Sequence, residues 1–215
     1  MYNSINRKLW IKSKVLKYLG IISFRGKQSS SDIYNKLYVV DRIYNHPKFD
    51  WLDFHDLHQI SIGSYVEISS TSWIWCHDNW DSGPCVGKGR GSISIGSNTR
   101  IGPRFHADCY DEVIIGADCL FAEDVLILTA NHGMNPEMQG NYVEQPFSTG
   151  KVIIRDGCWL GSRVSVLAGV TIGKRCIIGT NSVVTNDIPP FSIAAGIPAR
   201  VIKRWNFETH KWDRV

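Results

Sequence analysis

The chain has 215 residues with 24 Lys and Arg against 20 Asp and Glu, a formal net charge of +4. This is the length of one domain, and because seven of the basic residues precede the first acid, Asp32, the rest carries 17 basic against 20 acidic residues, which excludes a nucleic-acid-binding body. No apolar run approaches the roughly 18 residues of a membrane-spanning helix, and no signal peptide is read.

Residues 1 to about 30 read as a basic helix with Ile5, Leu9, Trp10, Leu16 and Leu19 on one side. Such a helix docks on the body or a neighbouring subunit, or touches a membrane surface through its apolar and Lys/Arg faces. Residues 31 to 59 hold Tyr34, Tyr38, Tyr44, Phe49, Trp51 and Phe54 and lack the pattern that follows, so they are expected to cap its exposed end.

From Ile62 an aliphatic residue recurs every sixth position, first at Ile68 and Ile74 and again at Ile95 and Ile101. The repeat slips by two residues between Ala107 and Ile114, then returns at Ile115, Phe121 and Ile127. It runs uninterrupted through Ile154, Leu160, Val166, Ile172, Ile178 and Val184, with compact Cys158, Val164, Val170, Cys176 and Ser182 four residues after the first five. Neither the helical nor the strand period alone gives this spacing; six-residue edges that close a triangular coil of about eighteen residues do. Glycine follows many of the aliphatic residues, and is expected at the corners, where a backbone without a β-carbon bends at low cost. Two excursions, 75–92 and 133–150, leave the array, and loops this long are usually functional.

The expected division is a cap segment over 1–59, a coil domain over 60–203 and a tail over 204–215. Cys119, Cys158 and Cys176 occupy the inward compact position, where a thiol acts as a small hydrophobe. Cys76 and Cys85 form no CxxC pair, so the spacing offers no zinc site and a reducing cytoplasm is expected.

The hexapeptides of form [LIV]-G-x-x-[small]-x, the WLGS and AGVTIG segments and the ending VVTNDIPPFSIAAGIPARVIK resemble the hexapeptide-repeat acyltransferases. Among these they are similar to the sugar O-acetyltransferases related to galactoside, maltose and nodulation-factor acetyltransferases. The resemblance covers about Ile60 to Lys203. It implies an all-β, left-handed parallel β-helix with a protruding loop, to which an N-terminal helical and aromatic cap and a short C-terminal helix are added. It further implies a homotrimer that moves an acetyl group from acetyl-CoA, without a metal, to a sugar hydroxyl between subunits.

A hydroxyl is a weak nucleophile at neutral pH, and a positioned imidazole can accept its proton as the thioester is attacked. His132, in LTANHG where the second excursion begins, occupies the place of the family's catalytic histidine. Trp159 offers an indole N–H to the thioester carbonyl or its oxyanion, and the family carries a tryptophan in this context. By motif match Ser162, Ala168, Gly169, Thr180 and Thr185 line the pantetheine channel beside Trp159, while Arg200 and Lys203 meet the nucleotide. Asn186 stands where relatives often have lysine. His106, Asp108 and Asp111 fall where related enzymes bind the acceptor, although the local sequence departs from theirs.

No nucleophile motif calls for an acyl-enzyme, so direct transfer in a ternary complex is expected. A surface polysaccharide or its precursor is the expected acceptor, on the strength of Trp73, Trp75 and Trp80 as sugar-stacking rings. The basic N-terminus would bring the protein to the inner face of the membrane. N-acetylation of an amino sugar nucleotide, a metal-dependent β-helical enzyme and a purely structural solenoid are the alternatives; after His132 the next histidine is His210, which leaves the second zinc ligand of the metal reading unfilled.

Overall fold

The computed structural model describes residues 60–69, 72–77 and 91–215 in full, and the backbone of 21–24 and 37–38. His46, His55, His58, Trp80, Cys85 and most of the expected N-terminal helix and cap lie outside the described residues. The body is a prism of stacked coils, each contributing one short strand to each of three faces. The first coil comprises Ile60–Ile62, Val66–Ser69 and Trp73–Cys76; the second, Ser92–Ile95, Arg100–Ile101 and His106–Cys109. The third comprises Glu112–Ile115, Leu120–Phe121 and Leu126–Leu128; the fourth, Val152–Ile154, Trp159–Leu160 and Ser165–Val166; the fifth, Thr171–Ile172, Ile177–Ile178 and Val183–Val184.

Equivalent strands pair in parallel from coil to coil, with Ile62 beside Ile95, Phe121 beside Leu160 and Val166 beside Val184. The register places like residues above one another, so each coil buries its apolar positions only against its neighbours. Ile127, Ile154, Leu160, Val166, Ile172 and Val184 are fully buried, as are Cys176 and Ser182 in the compact position. The thiols of Cys158 and Cys176 donate to the carbonyl oxygens of Gly173 and Pro189, both at 3.1 Å, so these polar groups are satisfied inside.

The glycines work differently from the expectation. At the corners the left-handed φ belongs to the residue three after the aliphatic one, as at Asn98, Asp118, Asp124, Arg163, Arg175 and Asn181. Several of these are Asn or Asp, the side chains that tolerate this region best. The glycine directly after the aliphatic residue is required by the approach of the next coil: a β-carbon on Gly96 would stand 2.3 Å from the Ala117 nitrogen, and one on Gly173 2.4 Å from the Pro190 nitrogen.

Both ends of the second face are extended by antiparallel strands, which cover the edges of its parallel stack. At one end Ile21–Phe24 lies against Val66–Ser69, and Leu37–Tyr38 lies against it in turn. The expected N-terminal helix is therefore a strand over these four residues, IISF being β-branched and aromatic. At the other end Ser192–Gly196 is followed by the antiparallel strands Ala199–Asn206 and Lys211–Arg214. This corrects the short C-terminal helix: residues 199–205 alternate between a packed and a solvent side, the period of a strand, and Trp205 meets Trp212 across the hairpin with centroids 5.3 Å apart.

Candidate active site

All breaks in the repeat fall on one edge of the prism, where the third face of one coil turns into the first face of the next. The first excursion leaves at His77 and rejoins at Gly91, whose N–H donates to the His77 carbonyl at 3.1 Å. It begins later than expected, since Trp75 and Cys76 belong to the strand Trp73–Cys76. The two-residue slip is Tyr110 and Asp111, one coil further along this edge, after the strand that carries His106 and Asp108. The second excursion leaves after Leu128, and its root is an antiparallel pair, Ala130–Asn131 with Ser148–Thr149.

Thr129, fully buried, ties these pieces together. Its hydroxyl accepts the N–H groups of Tyr110 and Asp111 at 2.7 and 3.0 Å and donates to the Asp108 carbonyl at 3.0 Å. The extra residues of the slip are thus held by one side chain. Its own carbonyl accepts from Gly150, and the Gly150 carbonyl accepts from Gly169. The sequence carries no local signal for Thr129, because its partners are 18 to 21 residues away.

His132 follows the root of the arm and is exposed. Its ring packs at 4.3 Å on Phe147 from the returning limb, and among the described residues nothing hydrogen-bonds to it. From Phe147 the rings continue to Tyr110 at 5.2 Å, His77 at 3.7 Å and Trp75 at 4.5 Å. His106 stacks on Trp73 at 4.6 Å, and the partial burial of its ring pushes its pKa down, against the opposing pull of Asp108. Asp108 Oδ1 lies 2.8 Å from His77 Nε2. Burial first, and Asp108 second, raise the Tyr110 phenol. The sequence pattern W-I-W-C-H, alternating outward and inward, carried the signal for Trp75 and His77; Phe147 lies in a loop without periodicity and carried none.

The structure divides the expected donor residues between two edges. Ala168 and Gly169 stand at the edge of the arm, Gly169 with φ +85°, and Thr185 stands there one coil on, its hydroxyl donating to Asn186. Ser162 and Thr180 lie at the corner between the second and third faces, where the Ser162 carbonyl accepts the N–H of Asn181 at 2.9 Å. Trp159 projects from the second face, half exposed, between Leu120 and Ile177. One chain therefore does not bring Trp159 to His132. Arg200 and Lys203 lie on the C-terminal hairpin, where Lys203 pairs across the strands with Arg214. Among the described residues no three His, Cys, Asp or Glu side chains converge as a metal site, and no helix is long and apolar enough to cross a membrane.

Residues 151–186 match the family described as bacterial transferase hexapeptide (six repeats). The chain is 36% identical over 133 residues to the putative lipopolysaccharide biosynthesis O-acetyl transferase WbbJ of Escherichia coli, covering 59% of this chain and 68% of that protein. It is 39% identical over 121 residues to the galactoside O-acetyltransferase of Escherichia coli, covering 53% of this chain and 58% of that one. Among solved structures, a variant of the N-acyltransferase AntD from Bacillus cereus, in complex with dTDP-4-amino-4,6-dideoxyglucose and coenzyme A, superposes with a TM-score of 0.56. It shares 20% identity over 72% of this chain and 77% of that one, a likeness of fold. The chain belongs to the hexapeptide-repeat acyltransferase family, and its coil is the left-handed parallel β-helix of that family.

Proposed function

We propose that the protein transfers the acetyl group of acetyl-CoA to a hydroxyl of a sugar, with His132 as the general base. The observation that carries this reading is the position of His132 at the root of the arm, on the single edge where every break in the repeat gathers. The acetyltransferase names of the relatives support the reaction class.

An imidazole nitrogen of His132 takes the hydroxyl proton as the sugar oxygen attacks the thioester carbonyl. The indole N–H of Trp159 donates to the oxyanion. Collapse of the intermediate breaks the carbon–sulfur bond, and the CoA thiolate leaves with the proton returned by the imidazolium. The inward thiols take no part, since Cys158 and Cys176 are 1% and 0% exposed. Because Trp159 stands on the second face and His132 on the edge between the third face and the first, the site is assembled between copies of the chain, and a homotrimer meets this need. Ser162, Thr180, Ala168, Gly169 and Thr185 follow the pantetheine, and Arg200 and Lys203 take the phosphates as cations at the end of the prism. His106, Asp108 and Asp111 face the acceptor. The reaction is placed in the cytoplasm, where acetyl-CoA is the donor, with the basic N-terminus toward the membrane and a surface polysaccharide or its precursor as acceptor.

The test is mass spectrometry of products formed from acetyl-CoA and a panel of hydroxyl-only and amino sugars, with sedimentation of the protein in parallel. Ester-linked acetate made by a trimer is expected. Amide-linked acetate instead would move the protein to the amino-sugar class, and failure to bind acetyl-CoA by calorimetry would leave a structural solenoid.

A further inference from the structure

Gln145 is the single buried residue of segment 131–150, 2% exposed in an arm that otherwise faces solvent. A carboxamide is expensive to bury unless both its ends are satisfied. Here they are: Nε2 donates to the Asn135 carbonyl and Oε1 accepts the Asn135 N–H, each at 2.9 Å. One side chain thus makes the two-bond exchange that an antiparallel strand partner would make. It does so where strand pairing has stopped, since the root of the arm ends at Asn131 and Ser148 and His132 is the first residue beyond it.

Gly133 fits the same clasp. A β-carbon there would stand 2.5 Å from the Gln145 β-carbon and 2.8 Å from its Oε1, so the outgoing limb lies directly on the Gln145 side chain. Asn135 in turn holds the bend that follows, its carbonyl accepting from the Met138 N–H and its side-chain oxygen from the Glu137 N–H. On the returning limb Gln145 stands two residues before Phe147, whose ring lies against His132. Gln145 therefore grips the outgoing limb just past the imidazole, from a point just before the ring that supports it.

A base that no hydrogen bond orients is only as well placed as the surfaces around it. For His132, among the described residues, these are Phe147 and the backbone of the arm. A displacement of about 1 Å at a reacting group costs on the order of 10²-fold in rate.

We propose that Gln145 is the positioning residue of His132, its carboxamide locking the two limbs of the arm so that the imidazole is held on the Phe147 ring. This rests on the reading of His132 as the general base. Glutamate has the same shape but no N–H for the Asn135 carbonyl, and leucine can make neither bond.

The experiment uses the full-length protein with isotope-labelled histidine and follows the imidazole ring signals by NMR, with kcat and acetyl-CoA affinity measured in parallel. The His132 signal is assigned by its loss in His132→Ala, and its displacement by the Phe147 ring current is calibrated with Phe147→Leu. In Gln145→Glu, Gln145→Leu and Gly133→Ala the displacement is expected to shrink toward the Phe147→Leu value. At about pH 8, where imidazole is neutral, kcat is expected to fall about 10- to 100-fold with the affinity for acetyl-CoA unchanged. Gln145→Glu keeps the volume and decides the matter should the leucine variant fail to fold. A His132 signal unmoved in Gln145→Glu overturns the proposal whatever the rate does, and so does a moved signal with wild-type kcat; both leave the base reading standing. An active His132→Ala variant, or no transfer to any sugar of the panel, removes the base reading and the proposal with it.

Discussion

Gly150 donates its amide hydrogen to the carbonyl oxygen of Thr129 at 2.9 Å, so the arm bearing His132 leaves and rejoins the body at one rung of the coil. The hydroxyl of the same threonine holds the slip at Tyr110 and Asp111. Thr129→Val keeps the shape and removes the hydroxyl, leaving two backbone N–H groups in need of an acceptor. A loss of about 2–5 kcal/mol is expected in urea unfolding, with Thr129→Ser near wild type. A Thr129→Val midpoint equal to wild type would show that the slip is held by other contacts.

His132→Ala is expected to lower kcat by about 10² to 10⁴-fold while calorimetry gives an unchanged affinity for acetyl-CoA. An active His132→Ala variant would remove this residue from the chemistry.

Trp159→Phe retains the ring and deletes the N–H. A drop in kcat of about 10²-fold with little change in KM marks an oxyanion donor, whereas a rise in KM alone marks a packing surface for the donor.

Gly96→Ala tests the close approach of coils. Its β-carbon would meet the Ala117 nitrogen at 2.3 Å, and backbone has to move to admit it. About 1–3 kcal/mol of destabilisation is expected in thermal or urea unfolding. Gly169→Ala has open space for the β-carbon and is strained by its φ of +85° alone, so the cost there should be less than at Gly96.

His106 makes stability depend on pH. Burial lowers its folded pKa below the ordinary 6.5. Above that value both states are neutral and the full stability is present. As the pH falls through it, the unfolded chain binds a proton that the folded chain does not, and stability declines until the folded imidazole titrates as well. His106→Gln is expected to flatten the dependence of the urea midpoint between about pH 7.5 and pH 5.5; an unchanged slope would assign it to other groups.

The period of six determined the triangular coil by itself, because in a coil each inward position depends only on residues six along the chain and on the equivalent position one coil away; the hand of the coil came from the family resemblance. Ile154, Leu160, Val166, Ile172 and Ile178 are buried where the count placed them. The place of His132, at the end of a repeat edge, was legible for the same reason. Three matters were decided only by tertiary structure. The role of the glycines is a relation between coils, as the contact of Gly96 with Ala117 shows. The C-terminal residues form strands because Ser192–Gly196 offers an edge to pair with. The gathering of His77, Asp108, Tyr110, Phe147 and His132 on one edge comes from stacking insertions of different lengths at the same corner, and no local pattern in the chain records which corner an insertion occupies.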